Sequence, residues 1–232
     1  MDTFVIQKEV ARLIVFQRVE LLNPLLKRLR KLFGRKLFTS FISKFFLNAN
    51  EIGKKYFDRM NEEYNSISRY VTENDKTILS IGAGMGGLEV IINKNFRDRN
   101  FFFIEKNYVS KKIKYGWDSN NDEAYNNLNL QKNFLIQNGL RVSNINIFNF
   151  DRNKFPNQKF DLITSLYSLD YHYDFNIYEN YLKKCSHDKT KIIFDTIRSD
   201  YFTEKFKNVE IIENQINTVH RSKRIVCSSF IG

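Results

Sequence analysis

The sequence is poor in the residues that build stapled or metal-knotted domains. Its 232 residues include two Cys, two Pro, nine Gly, three His and one Trp. Cys185 and Cys227 cannot make a disulfide framework or a four-ligand metal set, which points to a reducing compartment and predicts no metal requirement. No apolar run approaches the ~18–20 residues that a membrane span needs. Lys8, Glu9 and Arg12 interrupt what would be the apolar region of a secretion signal, so the expected address is cytoplasmic. What the chain holds in quantity is apolar bulk. Its 22 Phe and 12 Tyr, within 42% hydrophobic residues, can fill a large core and exclude a globally disordered chain. The length suits one domain with an appendage, since single cores can reach ~250 residues.

Charge is uneven. Residues 1–55 carry +8 of the formal +11, leaving a nearly balanced body. Between residues 4 and 47 apolar side chains recur at helical spacing: Ile6, Val10, Leu13 and Ile14, then Leu21, Leu25, Leu29, Leu32 and Phe33, then Phe41, Phe45 and Phe46. Asn23-Pro24 reads as an N-cap followed by Pro in the first turn, Gly34 as a stop, and Asn50 as the cap of a helix over 50–71. Lys27, Arg28, Arg30, Lys31, Arg35 and Lys36 crowd the middle of this stretch. A solvated basic face is the blander account. The sharper ones are a surface for anionic lipid, nucleic acid or a phosphate-bearing substrate, with peripheral membrane attachment or self-association as consequences. These readings divide the chain into a basic amphipathic helical extension, 1–55, and a body, 56–232.

After Lys76 short apolar runs alternate with helical segments, the pattern of a mainly parallel sheet with crossover helices. Strands are expected near 77–82, 101–105, 144–149, 160–166 and 190–196, and helices near 86–95, 124–138, 174–185 and 199–207. Two further runs, 209–213 and 223–229, have only a polar stretch between them and predict a closing hairpin. The expected fold class is α/β, a doubly wound, mainly parallel seven-stranded sheet behind an N-terminal helical extension.

The stretch T-I-L-S-I-G-A-G-M-G-G-L-E-V-I-I, residues 77–92, carries the chemistry. An apolar strand runs into Gly82, Gly84, Gly86 and Gly87, and a helical pattern follows at once. Such glycines let a ligand approach main-chain N–H groups at a helix N-terminus. The next strand, Phe101-Phe102-Phe103-Ile104, ends in Glu105, where a carboxylate can accept hydrogen bonds from ribose hydroxyls. Strand, glycines, helix, strand and acid in this order are stronger evidence than glycines alone. Gly82-x-Gly84-x-x-Gly87 also satisfies the dinucleotide fingerprint, which keeps a nicotinamide-dependent oxidoreductase in view.

The helical material ahead of the first strand, a second acid at Asp151 after the third strand, and the terminal hairpin together resemble the class I S-adenosylmethionine-dependent methyltransferases. The resemblance spans roughly residues 56–230. It implies S-adenosylmethionine as cofactor, with Gly82, Ala83, Gly84 and Gly86 beside its methionine part. Glu105 with Lys106 would lie at the ribose, and Asp151 with Phe150 at the adenine. It also places the carboxyl end of the 160–166 strand, and so Ser165, beside the methyl donor.

The segment S-L-Y-S-L-D-Y-H-Y, residues 165–173, follows that strand, and open parallel sheets bind ligands outside the carboxyl ends of their strands. His172 is the first candidate for a general base, because its ordinary pKa of ~6.5 suits proton transfer near neutrality. Asp170 is either its orienting partner or an alternative base. Tyr167, Tyr173 and Ser165 are candidate substrate contacts. Together with residues 111–139, which include Tyr115 and Trp117, the segment resembles bacterial sugar O-methyltransferases, with Trp117 as a wall for the acceptor. For each of these residues a packing or capping role is the plain alternative, and His187 and His220 read as turn residues. A small-molecule or glycan acceptor is the expected partner. The rivals are the oxidoreductase, a non-catalytic binding or assembly protein that retains the fold, and, ranked lower, an enzyme acting on RNA through the basic arm.

Overall fold

The computed structural model describes residues 2–110, 124–171, 173–214 and 221–231. The N-terminal layer begins with α1 (Lys8–Gln17), which buries Val10, Ala11, Leu13, Ile14, Val15 and Phe16. Helix α2 (Pro24–Leu37) starts as its sequence predicts: Asn23 Oδ1 accepts the Leu26 N–H at 2.9 Å, and Pro24 occupies the first turn. At Gly34 the backbone takes φ 74°, which breaks the helix. A π-helical turn (Phe38–Ile42) and the short α3 (Ser43–Phe45) follow. Helix α4 (Ala49–Ile67) is capped by Asn48 rather than Asn50, with Asn48 Oδ1 accepting the Glu51 N–H at 3.2 Å. Its buried stripe, Ile52, Tyr56, Met60, Glu63 and Ile67, has the spacing of one helical face.

The body alternates as expected: β1 (Thr77–Ile81), α5 (Gly87–Asn95), β2 (Asn100–Glu105), α6 (Leu128–Gln137), β3 (Ile145–Asn149), β4 (Phe160–Ser165), α7 (Asn176–Cys185), β5 (Ser186–Thr196), α8 (Ser199–Thr203), β6 (Phe206–Asn214) and β7 (Lys223–Phe230). These strands form one seven-stranded sheet in the order β3-β2-β1-β4-β5-β7-β6. β1 to β5 pair in parallel, and β7 runs antiparallel to both β5 and β6.

Two helix boundaries differ from expectation. Residues 124–127 are extended, with Tyr125 bridged to Val109, and α6 starts only at Leu128, where Asn127 Oδ1 accepts the N–H groups of Asn129 and Leu130 at 3.1 Å. The helix expected over 199–207 stops at Thr203. Phe206 instead begins β6 and packs its ring 4.2 Å from that of Phe230 and 6.0 Å from that of Phe175.

Position 55 lies inside α4 (Ala49–Ile67), and among the described residues the buried core runs across it. Phe4, Ile14, Leu22 and Leu26 share one hydrophobic core with Met60, Ile91, Phe101 and Leu162. A second core on the opposite sheet face joins Phe160, Phe175, Leu182, Phe194 and Phe202. Each fully buried aliphatic side chain contributes ~1.5–3 kcal/mol. α1 therefore packs against the sheet through a shared core. Among the described residues, no helix is long and apolar enough to cross a membrane.

Candidate functional site

The carboxyl ends of the parallel strands converge on the turn between β1 and α5. Gly82, Gly84 and Gly86 there all have positive φ. At Gly82 the requirement is also spatial, because a Cβ would collide with the side chain of Ser168. β2 ends beside this turn. Glu105 is 6% exposed, and its Oε1 accepts the Gly84 N–H at 2.8 Å. Burial pushes the Glu105 carboxyl up to about 8, against the opposing pull of hydrogen bonds from Asn126 and the Gly84 backbone. Asn126 also donates to the Gly84 carbonyl at 2.9 Å and to Gln131 Oε1 at 3.2 Å.

Next to Glu105 the strand end is aromatic. The Phe150 ring lies 5.7 Å from the rings of Phe155 and Tyr178. Lys106 Nζ stands 5.4 Å from the Phe150 ring centroid and 5.6 Å from that of Tyr173, and 3.9 Å from Asp151 Oδ1. Asp151 is exposed and follows this aromatic group directly. Glu105, Lys106, Phe150 and Asp151 thus line one continuous edge beside Gly82, Ala83 and Gly84.

The β4 side is more heavily committed. Ser165 Oγ donates to the Ile81 carbonyl at 2.7 Å and accepts the Leu169 N–H at 2.9 Å, so this hydroxyl ties the loop to β1. Asp170 is buried with φ 57°. Its carboxylate accepts from Thr196 Oγ1 at 2.6 Å and from Arg198 Nε at 3.0 Å, with a further close contact to Arg198 Nη2. That ion pair occupies the oxygens assigned from sequence to orienting an imidazole or taking a proton. The backbone N–H of Asp170 donates to the Tyr173 carbonyl at 2.7 Å and closes the turn. His172 and Trp117 lie outside the described residues, as do Tyr115 and His220.

Tyr167, a substrate candidate from sequence, is built into a charge cluster. Its ring lies 5.5 Å from the guanidinium groups of both Arg18 and Arg224, its hydroxyl accepts from Arg59 at 3.2 Å, and its N–H donates to Asp195 at 3.0 Å. Arg18 pairs with Glu63 through two bonds of 2.7 and 3.0 Å. Arg224 reaches Asp195 at 3.0 Å, Glu213 at 3.0 Å and Ser66 at 2.6 Å. This network fastens α1 and α4 to the carboxyl ends of β4 and β5.

Sequence reasoning missed Gln17. The last residue of α1 donates through Nε2 to the Tyr125 carbonyl at 2.8 Å and rests against Gly84, where a Cβ would collide with its amide. Only the C-terminal position of Gln17 on an amphipathic helix was visible, and nothing in that pattern names the surface it covers. Asn126 and Gln131 went unnoticed because polar residues around a helix start ordinarily read as caps.

No protein-family model and no curated protein sequence matches the chain. Solved structures do match it. A Nostoc punctiforme protein described as a candidate O-methyltransferase superposes with a TM-score of 0.50 at 12% identity, over 78% of this chain and 61% of that one. Coclaurine N-methyltransferase bound to N-methylheliamine and SAH gives a TM-score of 0.42 at 10% identity, over 66% of this chain and 38% of that one. A precorrin-6y methyltransferase from Geobacter metallireducens gives 0.45 at 12% identity, over 80% and 90%. This chain therefore spans about three-fifths of the length of the Nostoc protein. With β7 wedged antiparallel between β5 and β6, and with this likeness, the chain has the Rossmann-like fold of the class I S-adenosylmethionine-dependent methyltransferases.

Proposed function

We propose that this chain transfers a methyl group from S-adenosylmethionine to a hydroxyl of a small molecule or sugar. The observation that carries the reading is a buried Glu105 bonded to the glycine turn, in a sheet of order 3-2-1-4-5-7-6. Dinucleotide-binding sheets run 3-2-1-4-5-6. An antiparallel strand between the fifth and sixth places is foreign to that order and counts against the oxidoreductase.

The residues fit the cofactor. Glu105 is a carboxyl held out of water with capacity left for ribose hydroxyls, and Gln131 Nε2, close to Asn126, is a buried donor with no partner among the described residues. Bound there, the cofactor supplies a methyl made electrophilic by its sulfonium. Glu105 would accept from the ribose, Phe150 with Tyr178 would offer the adenine an aromatic surface, and Asp151 would accept from its amino group. Gln17, bonded through Nε2 to the Tyr125 carbonyl and resting against Gly84, would bring the end of α1 beside the cofactor. His172 is the base for the acceptor hydroxyl, where a positioned base contributes ~10²–10⁴-fold. The bonds of Asp170 to Arg198 and Thr196 support a positioning role for it: it holds the turn that carries Tyr171 and Tyr173.

Isothermal titration of the purified protein with S-adenosylhomocysteine and with NAD tests the cofactor. Saturable binding of the first and none of the second is the expected result, and the reverse overturns the proposal. With S-adenosylmethionine and a panel of hydroxylated acceptors, His172→Ala should keep cofactor affinity and lose turnover. Normal turnover in that variant removes His172 from the chemistry.

A further inference from the structure

Residues 21–50 contain seven Lys or Arg and no Asp or Glu. The same segment holds the largest concentration of exposed apolar side chains in the described chain: Leu25, Leu32, Phe33, Leu37, Phe41, Phe45 and Phe46. Its geometry explains how both coexist. Leu26 is buried and Leu29 packs against the core, while Leu32, one turn further along the same stripe, is 72% exposed. Past the break at Gly34, Phe38 and Ile42 anchor the chain. Leu37, Phe41 and Phe45, at four-residue spacing, are left outside. The Phe41 ring lies 4.9 Å from Phe45 and 6.4 Å from Phe46, forming one phenyl cluster on the surface. Lys27, Arg28 and Lys31 are exposed on α2, and Lys44 Nζ stands 5.7 Å from the Phe45 ring centroid.

We propose that this face seats on an anionic phospholipid bilayer, with the phenyl and leucyl groups at the acyl boundary and the cations among the headgroups. Cationic side chains beside a Leu/Phe stripe are the composition of a helix that lies in a membrane interface. A second copy of the chain fits poorly, because docking this face on itself would oppose two strongly positive segments that have no acidic residue to pair with. Nucleic acid would use the cations and the rings but leaves the exposed leucines without a role. The surface is separate from the glycine turn, and the inference does not rest on the proposed activity.

Sedimentation of the full-length protein with vesicles tests it, comparing phosphatidylcholine alone with phosphatidylcholine containing one part in three of phosphatidylserine. Binding to the mixed vesicles, with release as salt rises, is expected. Lys27→Ala with Lys31→Ala should lower the partition coefficient about thirty-fold, at about fivefold per charge. Phe41→Ser with Phe45→Ser should lower it at least about tenfold. All four side chains are exposed, so circular dichroism and melting temperature should stay unchanged. No binding to the anionic vesicles overturns the proposal, as does full binding by the phenylalanine variant. So does preferential binding of single-stranded RNA that survives loss of the two phenyl groups, or a dimer in solution that the phenylalanine variant dissociates.

Discussion

Glu105 accepts the Gly84 N–H at 2.8 Å and so joins the end of β2 to the glycine turn after β1. Burial pushes this carboxyl up to about 8, so near neutrality much of it is protonated before any ligand arrives. Ribose hydroxyls donate to the ionised form. Affinity for S-adenosylhomocysteine should therefore rise with pH from 6 to about 8 and then level off. Glu105→Gln should cost ~1.5–3 kcal/mol of binding, or roughly one to two decades in Kd, and should flatten that profile. Titration calorimetry at several pH values reads both effects. A wild-type profile that is already flat, with unchanged affinity in the variant, removes Glu105 from the site.

At Gly84, a methyl group meets two obstacles: a φ of 64° and the amide of Gln17. Gly84→Ala should lower the melting temperature. The left-handed backbone alone costs ~1–2 kcal/mol for an L-residue. Adding Gln17→Ala removes the collision and should recover only the steric part of the loss. A double variant no more stable than Gly84→Ala would mean that Gln17 already yields freely.

Arg224 and Asp195 are 1% and 0% exposed, and their two hydrogen bonds neutralise each other away from water. Arg224→Leu takes the guanidinium away from the buried Asp195, which keeps the Tyr167 N–H as a donor, and urea unfolding should show a loss of ~3–5 kcal/mol. Replacing both by leucine should cost less than the single change, since no stranded charge remains.

Glu89 supplies a test by pH. On α5 it accepts from Ser80 Oγ at 2.5 Å, and Ser80 lies 2.9 Å from Thr164 Oγ1. Glu89 Oε2 has no partner among the described residues, and burial pushes the carboxyl from an ordinary 4.5 to about 7. A raised carboxyl pKa favours the protonated folded state. That stabilisation is complete below pH 4.5 and is lost as pH rises through 7. Glu89→Gln should therefore make melting temperature less dependent on pH between 5 and 8. An unchanged slope would assign the pH dependence to other groups.

The sequence revealed the parallel strands and the glycine turn, because both are local patterns: an apolar run, then glycines, then a helical period. Glu105 could be found for the same reason, at a strand end a fixed distance onward. Contacts between distant segments were not legible. Asp170 looked like a proton-handling residue until the fold brought Arg198 against it from beyond β5. Gln17 reached the glycine turn through the docking angle of α1, which an amphipathic pattern does not encode. Adjacent apolar runs at the chain's end suggested a hairpin but could not say which of the two strands would lie against β5.

That last placement has a bearing on synthesis. β7 follows the other six strands in the chain, yet it fills the position between β5 and β6, strands made before it. Until Lys223–Phe230 has emerged, β5 has one ladder of backbone groups facing no partner, the kind of edge that templates pairing between chains. A nascent polypeptide halted before Lys223 would already carry its glycine turn and Glu105, and would still expose that edge of β5.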